Sequence, residues 1–366
     1  MLRITNIGIF SFLSLAGLSI GLLTFFDSGF RGIILLILGI ILGITFLFFQ
    51  YGFASGWRNL IEKKNSSMIS HHFLLAAICC VFFIPIIDLN TNIIGSYAPV
   101  NFSLVLGAFM FGFGMQLANG CGSGVLFTFG SGSGRMLVAL PFFVIGSVLG
   151  TFVLPFVIDI LSLGQIIIAK DNTLIMRTII NSLALFFVFL LFYFYARKNN
   201  FPINRKVTYG TFIIAVLCVL VLFFSGSPWG VTYGFTIWGA KISQSIGIPV
   251  ETFTFWNWPG PKRSLQHSVL SDISSLMNIG MIIGAGFLAS INGLFRSNNW
   301  PSSIELLSAA IGGILMGIGA RLSFGCNIGA FLGGTASGSL HGWIWFVMAF
   351  IGTYFGIKYR KLVGFK

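Results

Sequence analysis

The sequence predicts an all-α polytopic membrane protein with about ten hydrophobic segments, arranged as two inverted pseudo-repeats whose Gly-rich re-entrant segments meet at the membrane centre. Three observations predict it: a composition too apolar for a water-facing surface, apolar runs of spanning length, and a cysteine-centred motif that occurs twice. Of 366 residues, 56% are hydrophobic and 8% charged. Such a chain cannot clothe itself in polar side chains, so it belongs in lipid.

Apolar stretches long enough to cross hydrocarbon as helices, about 20 residues, run over 7–26, 32–49, 73–87, 101–118 and 136–158. Five more follow at 178–196, 208–224, 269–291, 304–320 and 342–357. The first exceeds the roughly 7 to 15 apolar residues of a signal peptide and lacks a small-residue cleavage site, so it reads as a retained helix. The polar loops near 159–177 and 248–268 are too short to bury a core of their own, leaving a single transmembrane domain.

The net charge of +13 comes from 21 Lys and Arg against 8 Asp and Glu. In a membrane chain such an excess reports orientation, because basic residues accumulate in cytoplasmic loops. Three clusters stand out: Arg58, Lys63 and Lys64; Arg197, Lys198, Arg205 and Lys206; and Lys358, Arg360, Lys361 and Lys366. Four spans separate each successive pair, an even number, so all three can face the cytoplasm and the C-terminus with them. Basic residues at span ends argue against a nucleic-acid partner; the surrounding partner is lipid.

Residues 112–124 read GFGMQLANGCGSG and 317–329 read GIGARLSFGCNIG. At an offset of 205 they share Gly112/Gly317, Gly114/Gly319, Leu117/Leu322, Gly120/Gly325, Cys121/Cys326 and Gly124/Gly329, where chance gives roughly one identity. A weaker echo pairs QYGFASGWRN from Gln50 with TYGFTIWGAK from Thr232. The first pseudo-repeat then covers about 30–160, the second about 207–360, and a linking helix about 178–196 lies between. Five spans separate the two starts, and an odd number turns the second half upside down. Inverted repeats of this kind place a substrate site near the midplane on interrupted helices.

Gly-rich backbone breaks a helix, exposes N–H groups and lets main chain approach a ligand. At membrane depth it is tolerated only inside protein or around a polar cavity. FGSGSG from Phe129 and GGTASGS from Gly333 prolong both breaks into re-entrant turns. The plainer alternative is that these glycines only let helices pack closely, which does not require the same cysteine twice.

The five cysteines show no metal-site spacing, so no metal centre or other cofactor is expected. Cys79, Cys80 and Cys218 sit among aliphatic residues and read as small hydrophobes. Cys121 and Cys326 sit between small residues, with Arg135 and Arg321 nearby in sequence, a setting that favours a working thiol. Neither motif carries a carboxylate, and Asp88 and Asp272 fall near helix ends. Cation or proton paths normally need intramembrane carboxylates, so the inventory favours an anion. The predicted site comprises Cys121, Cys326, Gly120, Gly122, Gly124, Gly325, Asn327, Gly329, Gln116 and Arg321, with Trp238 and Lys241 from the second YGF segment. His71, His72 and His267 read as solvated loop residues. Trp229, Trp256, Trp258, Trp300, Trp343 and Trp345 read as interfacial belts.

GARLSFGCNIGAF from Gly319, followed by SLHGW from Ser339, resembles the second sulfur-transport segment of the YeeE/YedE family. GFGMQLANGCGSG resembles its partner in the other half, and QYGFASGWRN the N-terminal segment. The resemblance implies a bacterial or archaeal inner-membrane transporter for thiosulfate or a related sulfur anion, or, in the YedE branch, a link to selenium metabolism. It also implies passage along cysteine thiols without covalent capture, here Cys121 and Cys326, and a small cytoplasmic sulfur carrier of the TusA/YeeD type as partner. The chain departs from the family at Ala54, where many relatives carry a cysteine, so either two thiols suffice here or the substrate differs from that of the three-cysteine relatives. A thiolate would repel the cargo, so flux by this route should fall as pH approaches the ordinary thiol value of about 8.5. Two alternatives stay open: a membrane sulfurtransferase forming a persulfide on either cysteine, with His341 the nearest base in sequence, and a general inorganic anion channel.

Overall fold

The structure, a computed structural model, describes residues 6–202, 204–296 and 300–362. Among them nine helices are long and apolar enough to cross a membrane. In chain order the helices are α1 (Ile7–Phe49), α2 (Phe53–Lys63), α3 (Ser67–Leu89), α4 (Phe102–Ala118) and α5 (Gly122–Gly130). Next come α6 (Gly134–Val157), α7 (Leu174–Lys198), α8 (Arg205–Ser225), α9 (Thr232–Ser245) and α10 (Thr254–Asn257). The series closes with α11 (Pro259–Gln266), α12 (Ile273–Asn292), α13 (Ser303–Leu322), α14 (Gly333–Ala336) and α15 (Leu340–Leu362).

Two of the ten predicted apolar segments form one element. At 43 residues, α1 would be roughly 65 Å long if straight, about twice the hydrocarbon thickness. It reverses at Gly29, whose φ of 62° and ψ of −158° leave the helical region. The reversal sets Gly32 against Thr24 and Ser28. The arm before Gly29 runs antiparallel to α12, with Asn6 donating to the Ser290 carbonyl and Gly17 beside Ile283. The arm after it runs parallel to α12, Gly39 on Met277 and Gly43 on Met281.

Glycines set the other crossings. Gly107 abuts Gly319 and Gly114 abuts Gly312, so α4 and α13 cross antiparallel. Gly352 meets Phe109 and Gly356 meets Phe113, making α4 and α15 parallel, while Gly146 on Ile314 and Gly150 on Ile318 do the same for α6 and α13. A Cβ on Gly352 would lie 2.1 Å from the Phe109 carbonyl oxygen. Close packing, the plainer role for glycine, therefore applies here. Because the clash is with backbone, Gly352→Leu should separate α4 from α15 and cost about 3 kcal/mol or more; a melting curve in detergent, with an unchanged midpoint as the contrary result, checks this.

Helix α7 faces outward over most of its length, with Arg177, Asn181, Leu185 and Ala196 its buried residues. Arg177 pairs with Asp88 at 2.5 Å and fastens it to α3. All three basic clusters gather at one end: Lys361 pairs with Glu62 at 3.4 Å, and Lys206 lies over the Phe48 ring. Of the third cluster, Lys366 lies outside the described residues.

Several sequence expectations change. His71 and His72 are not solvated: both are buried in α3, which starts at Ser67, a turn and a half before the apolar run. His71 meets the Ser67 carbonyl and the Thr208 hydroxyl, and His72 stacks on Phe53 at 4.0 Å. Trp229, Trp256 and Trp345 are interior rather than interfacial, and the Trp345 indole donates to Ser323. Trp300 and His267 are exposed.

Candidate thiol-lined passage

Each cysteine stands where a helix stops and a short buried one begins. The polypeptide leaves α4 through Asn119 in the left-handed region and enters α5 at Cys121, whose sulfur caps that helix by accepting from the Gly124 N–H at 3.3 Å. Ser123 Oγ lies 3.4 Å from the same sulfur, and the Phe53 amide approaches it from the start of α2. At the other cysteine the polypeptide leaves α13 through Phe324 at φ 60° and Gly325 at φ 154°. It then passes Cys326 into a π-helical turn, Asn327–Leu332. The amides of Ile328 and Gly329 lie against the Cys326 sulfur.

The two breaks meet. A Cβ on Gly122 would stand 3.1 Å from Cys326 Sγ and 3.6 Å from the Thr232 methyl at the head of α9. Gly329 faces Gly230, and Ser96 donates to the Gly329 carbonyl. The starts of α2, α5 and α9 and of the turn after Cys326 thus converge on two sulfurs, with no acidic side chain among them. Helix N-termini carry partial positive charge and free N–H groups, so the constriction offers donors to an anion without a formal cation inside it.

A cavity of about 280 Å³ reaches Cys121, with Gln50, Ala54, Ser55, Asn119 and Thr128 in its wall. Cys326 is fully buried behind it. Around the C-terminus of α4, beside this cavity, three arginines gather: Arg58 on the Asn119 side chain, Arg135 on the Leu117 carbonyl and Arg360 on the Gln116 carbonyl, each at 2.6 Å. The cavity therefore lies toward the basic end.

Of the predicted residues, the structure brings together Cys121, Cys326, Gly120, Gly122, Gly124, Gly325, Asn327 and Gly329. Asn327 is fully buried, and neither atom of its amide has a hydrogen-bond partner. Gln116 adjoins the cavity by donating to the Ala54 carbonyl at 3.1 Å. Arg321, Trp238 and Lys241 do not line it. Arg321 is held between the Tyr233 and Phe255 rings, with Thr236 as its hydrogen-bond partner. Trp238 donates to Ser275 and Lys241 to the Leu265 carbonyl. Asp88 is used by Arg177, and Asp272 caps α12 through Ser275. Burial pushes the Asp272 carboxyl above its ordinary range against the pull of those Ser275 hydrogen bonds. Asn119, Ser55 and Thr128 in the cavity wall and Thr232 against Gly122 carry no mark in the sequence; the YGF echo marks where α2 and α9 begin, but not which of their residues turn inward.

A multi-pass α-helical bundle with buried helix breaks beside a small cavity is the architecture of a membrane transport protein. The family model for sulphur transport matches residues 50–355, and the chain belongs to that family. The thiosulfate transporter TsuA of Spirochaeta thermophila is 26% identical over 341 residues, covering 87% of this chain and 96% of that protein. The probable transporter YedE of Escherichia coli is 35% identical over 143 residues, which are 39% of this chain and span 34% of YedE's length. YedE of Salmonella typhimurium is 34% identical over the same length. These relatives carry transporter names, in agreement with transport rather than persulfide enzymology.

Proposed function

We propose that this protein takes up thiosulfate or a related small sulfur anion and passes it between Cys121 and Cys326 by S–H hydrogen bonds. The observation that carries the reading is the packing of Gly122, the residue after Cys121, against the Cys326 sulfur, from which a Cβ would stand 3.1 Å, with both cysteines buried at helix breaks. A thiol is a weak donor. It recognises the anion without trapping it, as conduction requires. Amides at the helix starts neutralise the charge, and Asn327, unpartnered, supplies one further donor.

The two-halved plan is part of this reading. Exchanging the halves maps α4 onto α13, α6 onto α15, the second arm of α1 onto α8 and α3 onto α12. The α4–α15 contact then becomes α13–α6, and the contact of α1 with α12 becomes that of α8 with α3. The antiparallel crossing of α4 with α13 supports inversion. So does that of α1 with α8, where Gly210 meets Phe49 and Arg31 meets Phe224. The positive-inside rule supports a cytoplasmic basic end, with the Cys121 cavity and the C-terminus inside the cell, where a small sulfur carrier of the TusA/YeeD type receives cargo. The membrane is the bacterial or archaeal inner membrane.

Uptake of labelled thiosulfate into proteoliposomes tests the reading. Cys121→Ala and Cys326→Ala should each lower the initial rate about tenfold or more, an apparent loss of roughly 1.4 kcal/mol or more, and unlabelled sulfate should compete poorly. Near-normal flux in both variants would transfer the role to an anion channel whose cysteines are incidental. Selenite and sulfite as further competitors delimit the cargo.

A further inference from the structure

At the basic end, the seam between α3 and α8 holds two hollows that the cysteine passage does not use. The first, about 460 Å³, is lined by Asn59, Asn65, Ser67, Phe201, Asn204 and Val207. The second, about 430 Å³, is lined wholly by apolar side chains, among them Ile78, Phe82, Phe212, Ala215 and Val216. His71 on Thr208 shows that α3 and α8 run side by side from this end. The ten residues from Met68 to Ile78 rise roughly 15 Å, so the apolar hollow lies deeper in the membrane along the same seam. It opens sideways, with Phe82, Phe212 and Val216 half exposed.

The charge around the upper hollow is one-sided. Lys63, Lys64, Arg197, Lys198, Arg205 and Lys206 adjoin its walls in sequence and are exposed. Glu62 is the one carboxylate within 58–72 and 193–210, and it pairs with Lys361. The Asn65 and Asn204 side-chain oxygens accept from the Ser67 and Lys206 amides, which leaves the NH2 groups as the ends able to meet an acceptor. Both helices also begin here, adding the positive ends of their dipoles. Basic pockets between helices on the cytoplasmic side suit anionic headgroups, and a polar donor-lined hollow above an apolar groove matches the two parts of one lipid.

We propose that the α3–α8 seam binds an anionic glycerophospholipid, its phosphate in the polar hollow and one acyl chain along the groove. Asn59 belongs to α2, whose Ala54 and Ser55 wall the Cys121 cavity, so the bound lipid braces a helix of the passage. The site does not depend on the identity of the transported anion.

The test uses the full chain in neutral detergent. Native mass spectrometry and melting curves are recorded with phosphatidylglycerol, phosphatidylcholine or glycerol phosphate added. Phosphatidylglycerol should be retained and raise the melting temperature, phosphatidylcholine should not, and glycerol phosphate alone should bind far more weakly because the groove is then empty. Lys63→Gln, Lys64→Gln, Arg205→Gln and Lys206→Gln combined should weaken phosphatidylglycerol binding about tenfold or more. Ala215→Trp, filling the groove, should weaken it without altering charge. Equal retention of both lipids, or equal binding of glycerol phosphate, would overturn the proposal, as would wild-type retention of phosphatidylglycerol by the quadruple variant.

Discussion

Gly122→Val should reduce thiosulfate uptake about a hundredfold or more, roughly 2.7 kcal/mol on the transport barrier, while the protein still folds. Gly122 opens α5 with a backbone that any L-residue adopts, since its φ is not positive. Strain is therefore not the issue. What changes is the space in front of Cys326: a β-carbon alone would come within 3.1 Å of the sulfur, and the Thr232 methyl closes the other side at 3.6 Å. A sulfur can give by a few tenths of an ångström, which is why Gly122→Ala should be the milder variant. Valine adds two methyl groups to a space already bounded by the Cys326 side chain and the Thr232 methyl. Circular dichroism and a melting curve within a few degrees of wild type would establish the fold, and labelled uptake would read the block. Unchanged uptake in a folded Gly122→Val protein would mean that the anion travels by another route.

How far this geometry was legible in the sequence depends on what kind of signal each residue leaves. The spans were readable because hydropathy is a local property, and the meeting of Cys121 with Cys326 was readable because a duplicated motif carries a symmetry argument. The fold at Gly29 was only half visible: two apolar runs separated by FDSGFRG require a break, but not that both arms pack on the same α12. Arg321 shows a different limit. Its place in the GC motif aligned it with Gln116, yet its long side chain reaches away to Tyr233 and Phe255, a direction fixed by α9 and by residues beyond it. His71 and His72 resemble a loop in the sequence because they are polar residues before an apolar run, whereas half-buried partners on α7 and α8 hold this first turn and His72 stacks on Phe53. Ser66 donates to the Phe192 carbonyl, and His71 meets Thr208.

Gly120 and Gly325 occupy equivalent positions of the duplicated motif, yet their backbones differ. Gly325 has φ 154°, and a Cβ there would lie 2.7 Å from the Ala330 amide nitrogen. Gly120 has neither problem, its nearest contact being 3.4 Å. A non-glycine residue at such a φ costs on the order of 1–3 kcal/mol, and pushing backbone apart inside a packed core costs a similar amount again. Gly325→Ala should therefore lose about 3 kcal/mol or more of stability, enough in a protein of ordinary margin to show as low expression and a melting temperature many degrees down. Gly329→Ala is the matched control four residues on: its Cβ would meet only the Gly230 Cα, at 3.9 Å, without a positive φ. It should express and melt like wild type, any loss appearing in transport alone. If Gly325→Ala proved as stable as Gly329→Ala, the tight turn before Cys326 would not hold as described. The sulfur's position beside Gly122, which depends on that turn, would then have to be rebuilt.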